Sequence, residues 1–401
     1  MEESVKKRSY LLLIINVLVV VLVSSNLRSP LTAVGPVLGQ LSEALRLDNL
    51  QGSLLTSIPL FVFATCSVLV SKFSSRLKIQ QFLAYALLML CLGLFLRVFG
   101  SIYTLFIGSV FIGLGICVGN VITPGYVKQN FPNQIGLMTG VFAVAMNLTA
   151  ALASGFSTRI GEWTGLGWQG SLGIWILLTA LALSVVLIEL LFIKKSANLD
   201  VKVAQKSDFN IFKSKQAWNI SIFMGLQSLV FYSLISWLPA VLKDYGMPES
   251  EPGWVLFAIQ MAMLPITFVG PIIANRMKNQ KALIIFLSVL MLLSMILFVS
   301  WKAEGVYLSA VLLGLANGLS FSLAILFFSL RTQSSANAIK LSGMAQSIGY
   351  FIAAFGPPIF GKLHDWDASW RASFYFLSAA IVLMLYFGVL AARPKQVEEG
   401  L

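Results

Sequence analysis

The stretch Ser25-Asn26-Leu27-Arg28-Ser29-Pro30 lies inside the first long apolar segment of the chain. From residue 11 to residue 38 almost every side chain is Leu, Val, Ile or small, and Arg28 is the one charged residue there. A guanidinium keeps its proton at neutral pH, and placing it at the middle of a bilayer costs about 2.5–3.5 kcal/mol on insertion scales. We therefore expect Arg28 to face water or a ligand. The structural alternative is that it snorkels to an interface or pairs with a nearby carbonyl.

The composition predicts a membrane protein with many spans. Of the 401 residues, 58% are hydrophobic and only 11% are charged, whereas a soluble domain carries about 25% charged residues. Apolar windows of about 20 residues, each long enough to cross a bilayer as a helix, follow one another with short polar joints. This pattern excludes a soluble enzyme.

The residue types that hold metals or carry out catalysis are scarce. Cys66, Cys91 and Cys117 all lie in apolar runs, at spacings that suit neither a metal site nor a disulfide framework. The chain has a single histidine and no paired carboxylates within its spans. We expect no metal, no cofactor and no catalytic residue, so an intramembrane enzyme is disfavoured.

The apolar windows predict an all-α membrane protein of twelve transmembrane helices. The predicted spans are 11–38, 51–71, 79–99, 102–127, 134–160, 168–193, 216–243, 252–275, 281–301, 304–330, 336–362 and 369–392. The joint at 194–215 is polar and holds six lysines. It predicts an N-terminal six-helix half at 1–193, a cytoplasmic linker at 194–215 and a C-terminal six-helix half at 216–401.

The cations are distributed unequally between the two faces. If the N-terminus is cytoplasmic, 20 of the 28 Lys and Arg residues fall on the cytoplasmic side, and seven, Arg97 among them, fall on the opposite side. Because cytoplasmic loops are enriched in Lys and Arg, this asymmetry predicts cytoplasmic termini in a plasma (inner) membrane. It also accounts for the net charge of +12 without a nucleic-acid partner.

The two halves repeat each other in sequence. Ser75-Arg76-Leu77-Lys78 after span two matches Asn275-Arg276-Met277-Lys278 after span eight, and Gly113-Leu114 in span four matches Gly314-Leu315 in span ten. Two parallel six-helix repeats joined by a long cytoplasmic loop resemble the major facilitator superfamily. That architecture implies a central substrate site near the midplane, lined by spans one, four, seven and ten.

Polar and aromatic side chains in the spans supply the candidate site. The predicted substrate-binding residues are Arg28, Asn26, Thr32, Asn120, Tyr232, Trp237, Gln346 and Tyr350. Arg28 and Thr32 are four residues apart and would share a helix face. Each candidate also has a structural alternative, since polar residues in spans join helices by hydrogen bonds and Trp237 could anchor the chain at the interface.

The acidic residues are as informative as the cations. None of the 16 is expected at the centre of a span, and Glu189 falls near the inner end of span six. A buried cation without a fixed counter-charge favours an anion, or the negative end of a dipole such as a nitro group. At an outer loop, the neighbours His364 and Asp365 resemble a titrating pair, but we expect them to fix the loop.

Four motifs together resemble the cyanate transporter family, which also contains nitroimidazole exporters. The first two are Asn26-Leu27-Arg28-Ser29-Pro30 and Gly119-Asn120-Val121-Ile122-Thr123-Pro124. The third is Phe131-Pro132 with Gly136-Leu137-Met138-Thr139-Gly140, and the fourth is Gln346-Ser347-Ile348-Gly349-Tyr350 with Gly356-Pro357 and Leu363-His364-Asp365. The resemblance departs in three places. Ser29 separates Arg28 from Pro30, and Ser75, with Asn275 in the second copy, stands where the superfamily's loop signature has Asp. The stretch from Asn147 to Gly155 lacks the Gly-Pro of the span-five antiporter signature, which weakens a drug–proton antiport interpretation.

The resemblance implies alternating-access transport of a small polar solute, such as a cyanate-like anion or a small nitro-heterocycle. Arg28 would bind the negative group, Asn26, Thr32 and Asn120 would complete its hydrogen bonds, and aromatic residues would form apolar walls. The expected partners are a small-molecule substrate and membrane lipid, with no nucleic acid, and the chain is expected to be a monomer. The alternative is a multidrug-type efflux transporter of amphiphilic compounds, in which Arg28 is structural.

Overall fold

The computed structural model of the chain describes residues 2–47, 49–195, 209–248, 252–302 and 304–399. Within these ranges the chain forms sixteen α-helices and three short 3-10 turns, and contains no β-strand. The α-helices are α1 (Glu2–Ser25), α2 (Ser29–Thr32), α3 (Leu38–Leu45), α4 (Asn49–Phe73), α5 (Ile79–Arg97), α6 (Ile102–Asn130), α7 (Ile135–Thr164), α8 (Trp168–Gly173), α9 (Trp175–Lys195), α10 (Lys215–Asp244), α11 (Pro252–Arg276), α12 (Lys281–Ser300), α13 (Val306–Leu330), α14 (Ser335–Ala354), α15 (Gly356–Trp366) and α16 (Arg371–Ala391).

These helices coincide with the twelve predicted spans. Within the described ranges, ten helical segments are long and apolar enough to cross a membrane. Three spans are built from more than one helix: span one contains α1, α2 and α3, span six contains α8 and α9, and span eleven contains α14 and α15. The break in span eleven falls at Phe355, directly before Gly356-Pro357-Pro358, as proline chemistry requires. Most of the predicted linker, residues 196–208, lies outside the described ranges.

Span one corrects the expectation of one continuous helix over 11–38. α1 ends at Ser25, residues 26–28 form a turn, and α2 begins at Ser29. Arg28 has φ −130° and ψ −31°, outside the helical region. Pro30 explains the break. It has no N–H to donate to the carbonyl of the preceding turn, and its ring clashes with that carbonyl, so a regular helix cannot continue through this position. The arginine therefore lies on irregular backbone at the depth of the membrane.

The chain separates into two compact units. The first comprises Met1–Gln134, Val141–Asp208 and Ser334–Gly343, and the second comprises Ile135–Gly140, Phe209–Gln333 and Met344–Leu401. The division into halves at 1–193 and 216–401 stays a prediction.

In the first unit α6 packs against α4 and α5, and α9 packs against α1 and α5. Glycines bring α5 and α6 together: a Cβ added at Gly93 would lie 2.7 Å from the carbonyl oxygen of Gly108, and one added at Gly108 would lie 2.6 Å from the carbonyl oxygen of Gly93. Small residues allow this approach because apolar helices in lipid associate by close packing. The first unit is thus built on a tight helix pair.

In the second unit α13 packs against α11 and α12, and α16 packs against α10 and α12. Here too glycines set the distance between helices, since a Cβ at Gly314 would overlap the carbonyl oxygen of Ile259 and one at Gly318 would lie 2.8 Å from that of Met263. Small residues therefore have the same role in both units.

The sequence repeat has a structural counterpart. Gly113 of α6 packs against Pro59 of α4 in the first unit, and Gly314 of α13 packs against Ile259 of α11 in the second. Pro59 and Ile259 are about 200 positions apart, as are the two glycines. The loop motifs at 75–78 and 275–278 are separated by the same distance in sequence. The repeat therefore also relates equivalent helix contacts inside the two units.

Candidate functional site

The broken backbone of span one is held by hydroxyl groups. The carbonyl oxygen of Ser25 accepts hydrogen bonds from Ser29 Oγ and Thr149 Oγ1, both at 2.9 Å. The carbonyl oxygen of Ala33 accepts one from Ser157 Oγ at 2.6 Å. Non-helical backbone at membrane depth requires such internal partners, because lipid supplies none. α7 therefore fixes the course of the break.

A second buried arginine supports the break. The Arg97 guanidinium donates through Nη1 to the carbonyl oxygen of Pro30 at 2.7 Å and through Nη2 to Ser109 Oγ at 3.1 Å. Only 1% of Arg97 is exposed. The sequence count placed Arg97 on the side opposite the termini, and the structure shows that its side chain is buried there. Its position at the end of α5 suggested a surface residue, but the side chain points into the protein and donates to the carbonyl oxygen of Pro30.

Asn26 lies at the turn that ends α1 and is fully buried. Its Nδ2 donates to the carbonyl oxygen of Leu22 at 2.8 Å, and its Oδ1 accepts a hydrogen bond from Thr179 Oγ1 of α9 at 2.6 Å. These bonds use both ends of the amide. They support the structural alternative for Asn26, that of a residue joining two helices.

Arg28 is half-buried and contacts an amide that the sequence prediction did not include. Its Nη1 donates to Asn147 Oδ1 of α7 at 2.6 Å. Asn147 is only 5% exposed, and its Nδ2 makes no hydrogen bond in the described part of the chain. The guanidinium and the amide N–H groups thus lie side by side, and such charge-assisted donors suit a compact negative group. The sequence feature that could have identified Asn147 is its side-chain amide in an otherwise apolar stretch of span five.

Thr32 contacts the helix that carries Asn147, and Asn120 lies on a helix that packs against the Arg28 turn. Thr32 Oγ1 donates to the carbonyl oxygen of Ala150 at 3.0 Å and lies 3.2 Å from the carbonyl oxygen of Arg28. Asn120 is half-buried on α6, next to Gly119, where an added methyl group would overlap the side chain of Leu27. α6 therefore packs directly against the turn that carries Arg28, and Asn120 is the residue after Gly119, which makes this contact.

The other four predicted residues belong to the second unit. Tyr232 of α10 and Tyr350 of α14 form an aromatic pair with ring centroids 6.4 Å apart and planes inclined at 56°. Gln346 is buried one turn before Tyr350. Trp237 Nε1 donates to the carbonyl oxygen of Pro357 at 2.8 Å, so its indole is used in packing α10 against α15.

His364 and Asp365 do not pair with each other. His364 stacks on Trp370, with ring centroids 3.6 Å apart, and its Nε2 lies 3.9 Å from Asp244 Oδ2. Asp365 instead pairs with the exposed Lys362 at 3.2 Å. These contacts join the ends of α10, α15 and α16, in agreement with the expected loop-fixing role.

The whole chain resembles known bacterial transporters in sequence. It is 35% identical over 379 residues to the uncharacterized transporter YycB of Bacillus subtilis (94% of this chain, 93% of that one). It is 33% identical over 378 residues to the 2-nitroimidazole transporter of Escherichia coli (94% and 95%). It is 25% identical over 370 residues to the cyanate transport protein CynX of Escherichia coli (91% and 94%).

The fold matches that of a solved transporter. The structure of the proton:xylose symporter XylE bound to 6-bromo-6-deoxy-D-glucose superposes with a TM-score of 0.79, covering 96% of this chain and 98% of that chain at 13% sequence identity. This likeness confirms the predicted twelve-helix fold. Residues 17–354 match the family model of the Major Facilitator Superfamily. The chain therefore belongs to the Major Facilitator Superfamily and, within it, to the family of the 2-nitroimidazole and cyanate transporters, and it is a membrane transporter rather than an enzyme.

Proposed function

We propose that this transporter carries a small solute with a compact negative group, either an anion such as cyanate or a small nitro-heterocycle, and that Arg28 binds that group. The observation that carries the proposal is the contact between Arg28 Nη1 and Asn147 Oδ1, beside an Asn147 Nδ2 that has no hydrogen-bond partner in the described part of the chain. The names of the two relatives of known substrate, a 2-nitroimidazole transporter and a cyanate transport protein, support the same chemistry.

The arrangement favours a ligand that accepts hydrogen bonds and carries negative charge. A buried donor left without an acceptor costs about 1–3 kcal/mol, so a ligand oxygen or nitrogen that accepts from Asn147 Nδ2 recovers that free energy. The guanidinium next to it supplies positive charge in a region where solvent screens weakly. Cyanate, nitrate-like anions and nitro groups present both features in a few atoms.

Other predicted residues of the first unit would support Arg28. Thr32, one turn after Arg28, and Asn120, on the helix that packs against the Arg28 turn, would add hydrogen bonds to the polar part of the solute. Asn26 would act by holding the turn in place. Tyr232, Tyr350, Trp237 and Gln346 belong to the second unit, and their contribution to substrate binding stays a prediction from the sequence.

We further propose the plasma (inner) membrane as the location, cytoplasmic termini, and a monomer that binds no nucleic acid. The support is the charge asymmetry, with 20 of 28 cationic residues on the side of the termini. Cysteine accessibility labelling in intact cells tests the orientation. A cysteine placed at an N-terminal position, in a variant without the three native cysteines, should react only after the membrane is permeabilised.

Flux through proteoliposomes tests the proposed substrate class. Purified protein should transport cyanate or 2-nitroimidazole, and Arg28→Lys should lose most of that flux, because an ammonium cannot reproduce the planar, paired N–H groups of a guanidinium. Arg159→Lys, at an exposed position on α7, is the matched control and should keep it. Flux of cationic amphiphiles that Arg28→Lys leaves unchanged would instead establish a multidrug-type transporter in which Arg28 is structural.

A further inference from the structure

A buried carboxyl group lies inside the first unit, away from Arg28. Glu189 of α9 is only 1% exposed. Gln80 of α5 donates through Nε2 to Glu189 Oε1 at 3.0 Å. The Tyr126 hydroxyl of α6 interacts with the same carboxyl and donates to Asn16 Oδ1 of α1 at 3.2 Å. Polar side chains from four helices therefore meet around one acidic group.

Two hydrogen-bond acceptors of this cluster have no donor in the described part of the chain. Glu189 Oε2 and Gln80 Oε1 are both buried and accept no hydrogen bond in the described part of the chain. The Tyr126 hydroxyl has one proton, and it is directed to Asn16. An ionised carboxylate can only accept, whereas a protonated carboxyl adds an O–H donor. A proton on Oε2, donated to the Tyr126 oxygen, would give Glu189 Oε2 a partner and complete a continuous chain from Gln80 to Asn16.

The charges around the cluster do not stabilise an ionised Glu189. The described titratable side chains on the neighbouring helices are Tyr10 on α1, Lys78, Tyr85, Cys91 and Arg97 at or on α5, and Tyr103, Cys117, Tyr126 and Lys128 on α6. Of these, Tyr126 is the one that interacts with the Glu189 carboxyl, and a phenol, with an ordinary pKa of about 10, carries no charge at neutral pH. A buried carboxylate whose described partners are all neutral is strongly disfavoured in a membrane-spanning helix.

We propose that Glu189, with Gln80, Tyr126 and Asn16, is a proton-binding site, and that Glu189 carries the proton in the state described here. Loss of the proton leaves a buried charge with an unsatisfied oxygen. The four helices must then admit water or shift. α1 contributes Asn16 to this cluster and ends at the turn that carries Arg28. The site therefore links the protonation state of the first unit to the helix that presents the proposed substrate arginine.

Infrared spectroscopy of the full-length protein in lipid nanodiscs tests this site without any substrate. At a pH about two units above the ordinary glutamate pKa of about 4.3, the wild type should still show the C=O stretch of a protonated carboxyl. Glu189→Gln should remove that band, and Glu162→Gln, at an exposed position on α7, should keep it. A wild-type spectrum without the band, or a band that survives in Glu189→Gln, would overturn the proposal.

A second variant makes the test independent of how well Glu189→Gln folds. Tyr126→Phe removes the hydroxyl that is proposed to accept the carboxyl proton, so the C=O band should move to a different frequency. A band at the wild-type frequency in Tyr126→Phe would contradict the proposed arrangement. Because neither measurement involves a substrate, the outcome is separate from that of the Arg28 proposal.

Discussion

The guanidinium of Arg28 donates to the side-chain oxygen of Asn147 at 2.6 Å, across 119 positions of sequence. The contact joins the turn between α1 and α2 to the middle of α7. It turns the amide so that Oδ1 faces the cation and the N–H groups remain for another acceptor. This relationship makes Asn147 the most informative position near the proposed site after Arg28 itself.

Asn147→Asp should separate stability from binding. A carboxylate at this position would form an ion pair with Arg28, so the melting temperature should be unchanged or higher. The same carboxylate would repel an incoming anion by ~4 kcal/mol at about 4 Å and an effective dielectric constant of about 20. Affinity for the ligand should therefore fall roughly 100-fold or more. Calorimetric titration together with thermal unfolding measures both quantities, and tighter anion binding by this variant would contradict the proposed site.

Arg97→Met should destabilise the protein by about 2 kcal/mol, because it removes two hydrogen bonds from a charged donor and leaves the Pro30 carbonyl without that partner. The melting temperature in detergent is the readout. Arg159→Met, which removes an exposed arginine, should leave it nearly unchanged. Equal melting temperatures for wild type and Arg97→Met would show that the buried guanidinium does not hold the break.

These two arginines show where the sequence was informative and where it was not. Arg28 was identified because it is one charge in a long apolar run, and its environment could be inferred from the penalty for burying it. Arg97 lies at the end of a predicted span, where a cation normally reaches the interface. Its inward direction depends on the carbonyl oxygen of Pro30, 67 positions away in sequence, and no local pattern reveals that contact.

Gly93→Ala should destabilise the first unit by roughly 1–3 kcal/mol, because the added methyl group would meet the backbone of α6 and force the two helices apart. Gly155→Ala is the matched control on α7, since an added Cβ there has open space. That variant should be neutral or more stable by up to ~1 kcal/mol, from helix propensity alone. Thermal unfolding should rank Gly93→Ala below wild type, and the opposite order would contradict the packing described for α5 and α6.

Asp367 should stabilise the start of α16 in a pH-dependent manner. Hydrogen bonds from the Ser369 side chain and from the backbone of Ala372 and Ser369 lower the pKa of the Asp367 carboxyl. Because the folded carboxyl binds its proton less tightly than the unfolded one, its contribution is complete above about pH 4 and is lost as the pH falls below that. Asp367→Ala should lower the melting temperature at neutral pH, and its difference from wild type should shrink on acidification. A difference in melting temperature that does not change between neutral pH and pH ~3 would exclude this role of Asp367.

The sequence predicted the helices better than the contacts between them. Apolar windows located the twelve spans, because hydrocarbon thickness fixes their length. Asn147 and Glu189 were missed as functional candidates for a different reason. An amide in span five and a carboxyl near the end of span six look like ordinary packing and interface residues until Arg28 in one case, and Gln80 and Tyr126 in the other, are seen beside them.

Ligand-induced thermal stabilisation of wild type, Arg28→Ala and Arg159→Ala addresses the proposed role of Arg28. A ligand that binds only the folded state raises the melting temperature, by an amount set by its concentration relative to its Kd. Cyanate, nitrate or 2-nitroimidazole should stabilise wild type and Arg159→Ala, and the shift should disappear in Arg28→Ala. Stabilisation by these compounds that persists in Arg28→Ala, or stabilisation of wild type only by cationic amphiphiles, would contradict Arg28 as the substrate-binding residue.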